Sequence, residues 1–229
     1  MTQEVIVLSG GLSHEREVSL ESGQRVAREL TRAGFRVTLS DIQPSLIELL
    51  TTLDNPVVFP MLHGGAGEDG ALREVLELVG VPYVGATAAA CRASFDKALA
   101  IPVVGAAGLV VPKRVVLPHD MFRDLGAAAL MALIEDRLGL PLFVKPTTSG
   151  SALGAQAVSR IEDLPAAMVN AYAYGKVVVV EEFIGGVEVA VPVFDLGSGP
   201  VAFPPVEIHP ASGVYDFEAR YTAGATTYI

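Results

Sequence analysis

The stretch Leu142-Phe-Val-Lys-Pro-Thr-Thr-Ser-Gly-Ser-Ala-Leu-Gly154 limits what this chain can become more than any other. Apolar residues 140 to 144 suit a buried strand, Lys145 sets an ammonium at its end, and a loop of small residues follows at once. Thr147, Thr148, Ser149, Gly150, Ser151 and Gly154 can turn backbone N–H groups and hydroxyls toward an anion, for which a phosphate chain is a natural guest. The same loop also serves as an ordinary hairpin connection. It is no Walker A loop, because its lysine precedes the glycines. A second apolar run, Lys176-Val-Val-Val-Val-Glu-Glu-Phe-Ile184, ends in two carboxylates and leads into Gly185, Gly186 and Glu188. Two strands thus bring Lys145, Glu181, Glu182 and Glu188 to their ends, and a solvated strand-end face is the plainer reading of the glutamates.

With 229 residues, 51% of them hydrophobic, the chain can bury a sizeable core in one large or two small domains. Its net charge of -10 argues against a nucleic-acid partner, which needs clustered Lys and Arg to release counterions. Met1-Thr-Gln-Glu leads straight into a strand without the basic and apolar segments of a secretion signal. The most apolar helix candidate, Leu125 to Ile134, is too short to span a bilayer. A cytoplasmic protein with no membrane partner is expected, and a lone Cys91, read as a small buried side chain, agrees with a reducing compartment.

Residues 4 to 9 read as a strand, Gly10-Gly11 as its end, and the following segment as a helix with Val18, Ser22, Val26 and Leu30 on one stripe. This opening lacks the glycine spacing of a dinucleotide-binding turn. Glu15 and Glu17 near the helix start can simply complement its dipole. Strands are expected at 34–40, 56–62 and 81–85, and helices at 43–53, 87–100 and one with the stripe Leu72, Val75, Leu76 and Val79, which Asp69 would cap. His63 stands beside glycines in His63-Gly-Gly-Ala-Gly-Glu-Asp-Gly70, which leaves imidazole and backbone open to a ligand, though a satisfied structural histidine is the commoner case. Further on, strands are expected at 114–117, 155–158, 188–194 and 201–203, with helices at 124–138 and 163–173.

Lys145-Pro146 with its small-residue loop, and Glu181-Glu-Phe-Ile-Gly-Gly-Val-Glu188, resemble the ATP-grasp ligases. Glu15-Arg-Glu-Val-Ser19, the segment His63 to Gly70, and Tyr215-Asp-Phe-Glu-Ala-Arg-Tyr221 narrow the resemblance to the D-alanine–D-alanine ligase family, in the family's order and near its spacing. The resemblance implies an α/β fold: an N-terminal parallel-sheet domain, then an ATP-grasp fold incomplete at its C-terminus. Its divisions would be a substrate domain over 1–95, a central ATP-binding domain over 96–184, and the start of a C-terminal domain with a substrate-covering loop over 185–229.

The activity implied is ATP-dependent joining of two D-alanine molecules through an acyl phosphate, for peptidoglycan. A ligase for another amino or hydroxy acid pair, or a non-catalytic remnant, is the alternative. By the same resemblance Glu15 lies against the first substrate's ammonium, with His63 and Glu68 nearby. Lys97 and Lys145 meet phosphates of ATP, Glu181 accepts the adenine amine, the Phe183 and Ile184 backbones meet the ring edge, and Glu188 binds ribose. Tyr221 bonds Ser151 and Glu15 to close the site, favouring D-alanine as second substrate, and Arg220 stands where the family usually has lysine. Mg2+ ligands and an oxyanion-stabilising arginine are expected beyond residue 229, and a homodimer is the usual assembly. Pro102 departs from the family, so the helix there should end early or change geometry.

Overall fold

The computed structural model describes residues 2–229. Its backbone forms two compact units, the first made of residues 2–109 with Thr147–Gly150, the second of Val110–Pro146 with Ser151–Ile229. The division falls after residue 109, whereas the domain reading of the sequence places it at 95.

In the first unit the order is β1 (Glu4–Leu8), α1 (Arg16–Arg32), β2 (Arg36–Ser40), α2 (Leu46–Thr52), β3 (Val57–Pro60), α3 (Ala71–Val79), α4 (Ala88–Phe95) and α5 (Lys97–Ala106). The strands make a parallel sheet in the order β2-β1-β3. Central β1 is apolar from Val5 to Leu8 because both of its faces are covered there. Val5 and Val7 pack with Ala27 of α1, while Ile6 and Leu8 pack with Leu46 and Leu50 of α2 and Leu72 and Leu76 of α3.

Helix α1 meets the sheet through small residues. Its buried line is Ser19, Gly23 and Ala27, and the expected stripe of Val18, Ser22, Val26 and Leu30 flanks that line half-buried. The reason is close approach: a Cβ at Gly23 would sit 2.4 Å from Cβ of Ser9. Ser19 is fully buried and satisfied, accepting from the Gly10 amide at 2.8 Å and donating to the Met61 carbonyl at 2.7 Å. Asp41, just past β2, secures the turn after β1: its Oδ1 accepts from the amides of Gly11 and Ile42, each at 2.7 Å, and its Oδ2 pairs with Arg16 at 2.7 Å.

Three expectations for this unit are corrected. Residues 81–85 form no strand but a single parallel bridge, Val58 to Tyr83, since Pro82 has no amide to continue a ladder. The helix expected over 87–100 breaks at Asp96, whose Oδ1 accepts from Ala98 N at 2.8 Å and starts α5 afresh. Of the two outcomes expected at Pro102, an early end or a changed geometry, the early end does not occur, since α5 runs on to Ala106. As expected, Asp69 serves the start of α3, accepting from the Ala71 amide at 2.8 Å.

The second unit runs β4 (Arg114–Pro118), α6 (His119–Leu125), α7 (Ala127–Leu138), β5 (Leu142–Pro146), β6 (Gln156–Val158), α8 (Leu164–Tyr172), β7 (Val177–Glu182), β8 (Glu188–Ala190), β9 (Val193–Asp195), β10 (Pro200–Ala202), β11 (Val206–Pro210), α9 (Phe217–Tyr221) and β12 (Thr226–Tyr228). An antiparallel sheet, β4-β7-β5-β6, turns Leu142, Val144, Val178 and Val180 onto Met131 and Ile134 of α7 and Leu164 and Met168 of α8. Strand alternation then puts Arg114, Phe143, Lys145 and Glu181 on the other face. A second sheet, β12-β11-β8, and the hairpin β9-β10 complete the unit.

Two long elements read from sequence are divided. Gly126, at φ 83°, separates α6 from α7, and Pro192, without a ladder amide, separates β8 from β9.

Two expectations follow. Helix propensity alone would favour Gly23→Ala, yet the clash with Ser9 outweighs it, so the substitution should lower stability by about 1–3 kcal/mol in urea unfolding. Burial pushes the Asp41 carboxyl up, but the Gly11 amide, Arg16 and the Ile42 amide together hold it below the usual range. The stabilisation is therefore present above about pH 4 and lost as pH falls through the folded-state value. Asp41→Asn should cost about 1 kcal/mol at neutral pH, with Arg16 partly solvated, and the gap to the parent protein should close on acidification.

Candidate active site

In the first unit the loops after β1 and β3 meet. Glu15 is only 4% exposed, and its carboxylate lies so close to two backbones that a Cβ at Gly64 would be 2.3 Å, and one at Gly150 2.7 Å, from Oε2. A side chain at either place would displace the Glu15 carboxylate, and Gly64, at φ 67°, also has a backbone that favours glycine. Ser13 holds the two loops together, donating to the His63 carbonyl at 2.5 Å and accepting from the Glu15 amide at 3.2 Å. His63 Nε2 lies 3.1 Å from Ser22 Oγ. Burial, and then the negative charge of Glu15, push the Glu68 carboxyl up. Glu15, His63 and Glu68 thus share one acidic recess suited to a cation such as an ammonium group.

Lys97 stands at the first position of α5, and its ammonium donates to the carbonyl of Ser149 at 2.9 Å and, more weakly, to that of Thr147 at 3.4 Å. Its backbone amide also donates to Thr147 O at 2.9 Å. Asp96 makes this placement possible by restarting the helix one residue earlier. The Lys97 ammonium thus braces the small-residue loop from within.

In the second unit Lys145 Nζ lies 2.5 Å from Glu181 Oε1 on the sheet face opposite the core. Glu181 is 6% exposed, and its other oxygen, Oε2, is buried without a hydrogen-bond partner. A buried acceptor left unmade costs about 1–3 kcal/mol, which makes it an address for a donor. Phe143 completes this surface, its ring 6.1 Å from that of Phe183 and 5.7 Å from the Lys145 ammonium. The Phe183 amide donates to Pro141 O at 3.0 Å. Phe183, Ile184 and Glu188 are all exposed, and Glu182 accepts from the Lys113 amide at 3.0 Å.

The last part of the chain brings Tyr221 to Ser151, their hydroxyls 2.6 Å apart. Arg220, the neighbouring residue of α9, lies over the Tyr215 ring with its guanidinium carbon 4.0 Å from the centroid. Sequence reasoning missed Asp41, Ser13 and Ser22, since each acts through a partner remote in sequence, and it gave Tyr215 no role of its own. Among the described residues no group of three or more His, Cys, Asp or Glu side chains is placed to hold a metal ion. Among them, too, no helix is long and apolar enough to cross a membrane.

Comparison with known proteins gives this geometry a context. Residues 103–229 match the family model for the D-Ala–D-Ala ligase C-terminus, and residues 43–86 match that for its N-terminus. The chain is 38% identical to the D-alanine–D-alanine ligase of Desulforudis audaxviator, over 100% of its own length and 73% of that protein. Among solved structures, the VanG D-Ala:D-Ser ligase of Enterococcus faecalis superimposes with a TM-score of 0.79 at 28% identity, over 100% of this chain and 76% of the other. The D-alanine–D-alanine ligase of Bacillus anthracis does so with a TM-score of 0.80 at 26% identity, over 100% of this chain and 71% of the other. The two-unit α/β architecture, a parallel sheet followed by ATP-grasp antiparallel sheets, is shared along the whole chain, and the chain belongs to the D-alanine–D-alanine ligase family.

Proposed function

We propose that this chain carries the ATP-dependent joining of two D-alanine molecules into D-alanyl-D-alanine, in the cytoplasm, for peptidoglycan synthesis. The observation that carries the reading is the family relation over its full length, at 38% identity to a D-alanine–D-alanine ligase. Tyr221 in the covering loop, set beside Ser151, is what favours D-alanine as the second substrate in this reading. Residues 1–95 are read as the substrate domain, 96–184 as the nucleotide-binding one, and 185–229 as the part that covers the substrates.

In this reading a carboxylate oxygen of the first D-alanine attacks the γ-phosphorus of ATP. The bond to the bridging oxygen breaks, ADP leaves with that electron pair, and an acyl phosphate results. The amine of the second D-alanine then attacks the acyl carbon, loses a proton and expels inorganic phosphate. No protein nucleophile is required, so the residues bind, orient and exclude water. Glu15, with His63 and Glu68 beside it, holds the first substrate's ammonium. Lys145 neutralises phosphate while anchoring Glu181, whose open Oε2 accepts the adenine amino group. Ile184 and the Phe183 carbonyl meet the ring edge, Glu188 the ribose, and Lys97 sets the loop that faces the phosphates. Ser151 and Tyr221 close the site together. Magnesium would supply charge neutralisation on the phosphates, but the donor sets described above do not form a site for it, and no step here runs through one.

Phosphate release with ATP, magnesium and D-alanine tests the reading, with L-alanine, D-serine and D-lactate as comparisons. D-alanine should give the fastest release and D-alanyl-D-alanine as product; equal release with all four would end the D-alanine assignment. Lys145→Met should weaken ATP binding by at least about tenfold and lower stability by about 3 kcal/mol, because Glu181 is left as a buried, unpaired carboxylate. Calorimetric titration with ATP and thermal unfolding check the two effects separately.

A further inference from the structure

Arg220 has an unusual setting for a cation on a short helix. Its Nε is buried without an acceptor, and among the described residues no hydrogen bond or ion pair reaches its guanidinium. What it does have is the face of Tyr215, at 4.0 Å. That ring is itself braced: the Tyr215 and Tyr228 hydroxyls are 3.0 Å apart and the rings meet edge to face at 6.4 Å. Burial and the Tyr228 bond push the Tyr215 phenol up to about 12, so it stays neutral and keeps the bond at any physiological pH. Helix α9 is held independently, since Asp216 Oδ1 accepts from the Ala219 amide at 2.9 Å and Thr226 donates to the Ala219 carbonyl at 2.7 Å.

An arginine side chain on a five-residue helix would ordinarily sample many rotamers, and fixing it costs conformational entropy. The cation–π contact offsets that cost before any ligand arrives. It covers one face of the planar guanidinium and leaves the edge that carries the two Nη groups open, which is a geometry that takes two oxygens of a phosphoryl group. Lysine, with a point charge and no flat face, would gain less from the same ring.

We propose that Tyr215 is the positioning residue for Arg220, holding its guanidinium over the ring so that its rim is presented to a phosphoryl oxygen of the bound nucleotide. This rests on the ATP reading above. Tyr215 acts only through Arg220 and is not itself a ligand.

The test uses the whole chain and two readouts: ATP affinity by calorimetry with magnesium present, and the NMR resonances of the Arg220 side chain, which the Tyr215 ring current should shift upfield. Tyr215→Phe keeps the ring and gives up one hydroxyl bond, so affinity should fall by no more than roughly threefold and the upfield shift should persist. Tyr215→Leu removes the ring; affinity should fall on the order of thirtyfold and the shift should vanish. Arg220→Gln leaves Tyr215 and Tyr228 in place, and serves if the leucine variant does not fold; its affinity should fall to the same extent. The proposal is overturned if phenylalanine and leucine lose affinity equally, if Arg220→Gln binds ATP as the parent does, or if the Arg220 resonances do not respond to Tyr215. A parent protein that binds no ATP would instead overturn the nucleotide reading, and this proposal with it.

Discussion

The ion pair between Lys145 and Glu181 sets the terms for the second unit. A carboxylate as buried as Glu181 keeps its charge only beside a cation or enough donors, and the cation must come from a neighbouring strand at one register. Pairing Phe143 with Glu181 and Lys145 with Val179 provides that register. A slip of one residue would turn Lys145 into the apolar layer formed by Leu142, Val144, Val178 and Val180, so the same pattern that builds the core forbids the slip. Core and charged face are thus one decision, made by the alternation along β5 and β7.

The first unit solves a different problem, that of bringing backbones close. Helix α1 lies against the sheet on serine, glycine and alanine, and the loops that follow β1 and β3 come near enough for one carboxylate to touch two glycine backbones. Close packing of this kind leaves little side-chain freedom to lose, which suits a recess that must be formed before its ligand arrives. Burial and the charge of Glu15 drive Glu68 toward its neutral form, and a cation entering the recess would favour its ionised form again.

Much of this was legible in the sequence. Apolar runs such as Glu4–Leu8, Leu142–Pro146 and Val177–Glu182 gave themselves away as buried strands, and loops bearing glycine beside Glu15, His63 and Lys145 marked the site. The failures share a physical cause, which is that single residues reset elements whose periodicity continues through them. Asp96 and Gly126 each restart a helix, and Pro82 and Pro192 each interrupt a ladder, without disturbing the hydrophobic pattern around them. The contact line of α1 was misread because small residues carry almost no hydrophobic signal, though they decide how near a helix can come. The roles of Asp41 and Tyr215 were invisible for another reason: they depend on partners that only folding supplies.

The grip of Lys97 on the loop has a reach beyond its own contacts. In a trans peptide unit the carbonyl and the next amide point in opposite directions. Because the carbonyls of Thr147 and Ser149 aim at the Lys97 ammonium, the amides of Thr148 and Gly150 face the other way. The lysine polarises both units, sharpening the positive ends of their dipoles on the far side. Its charge is thereby relayed through two peptide planes to the side of the loop where those amides point.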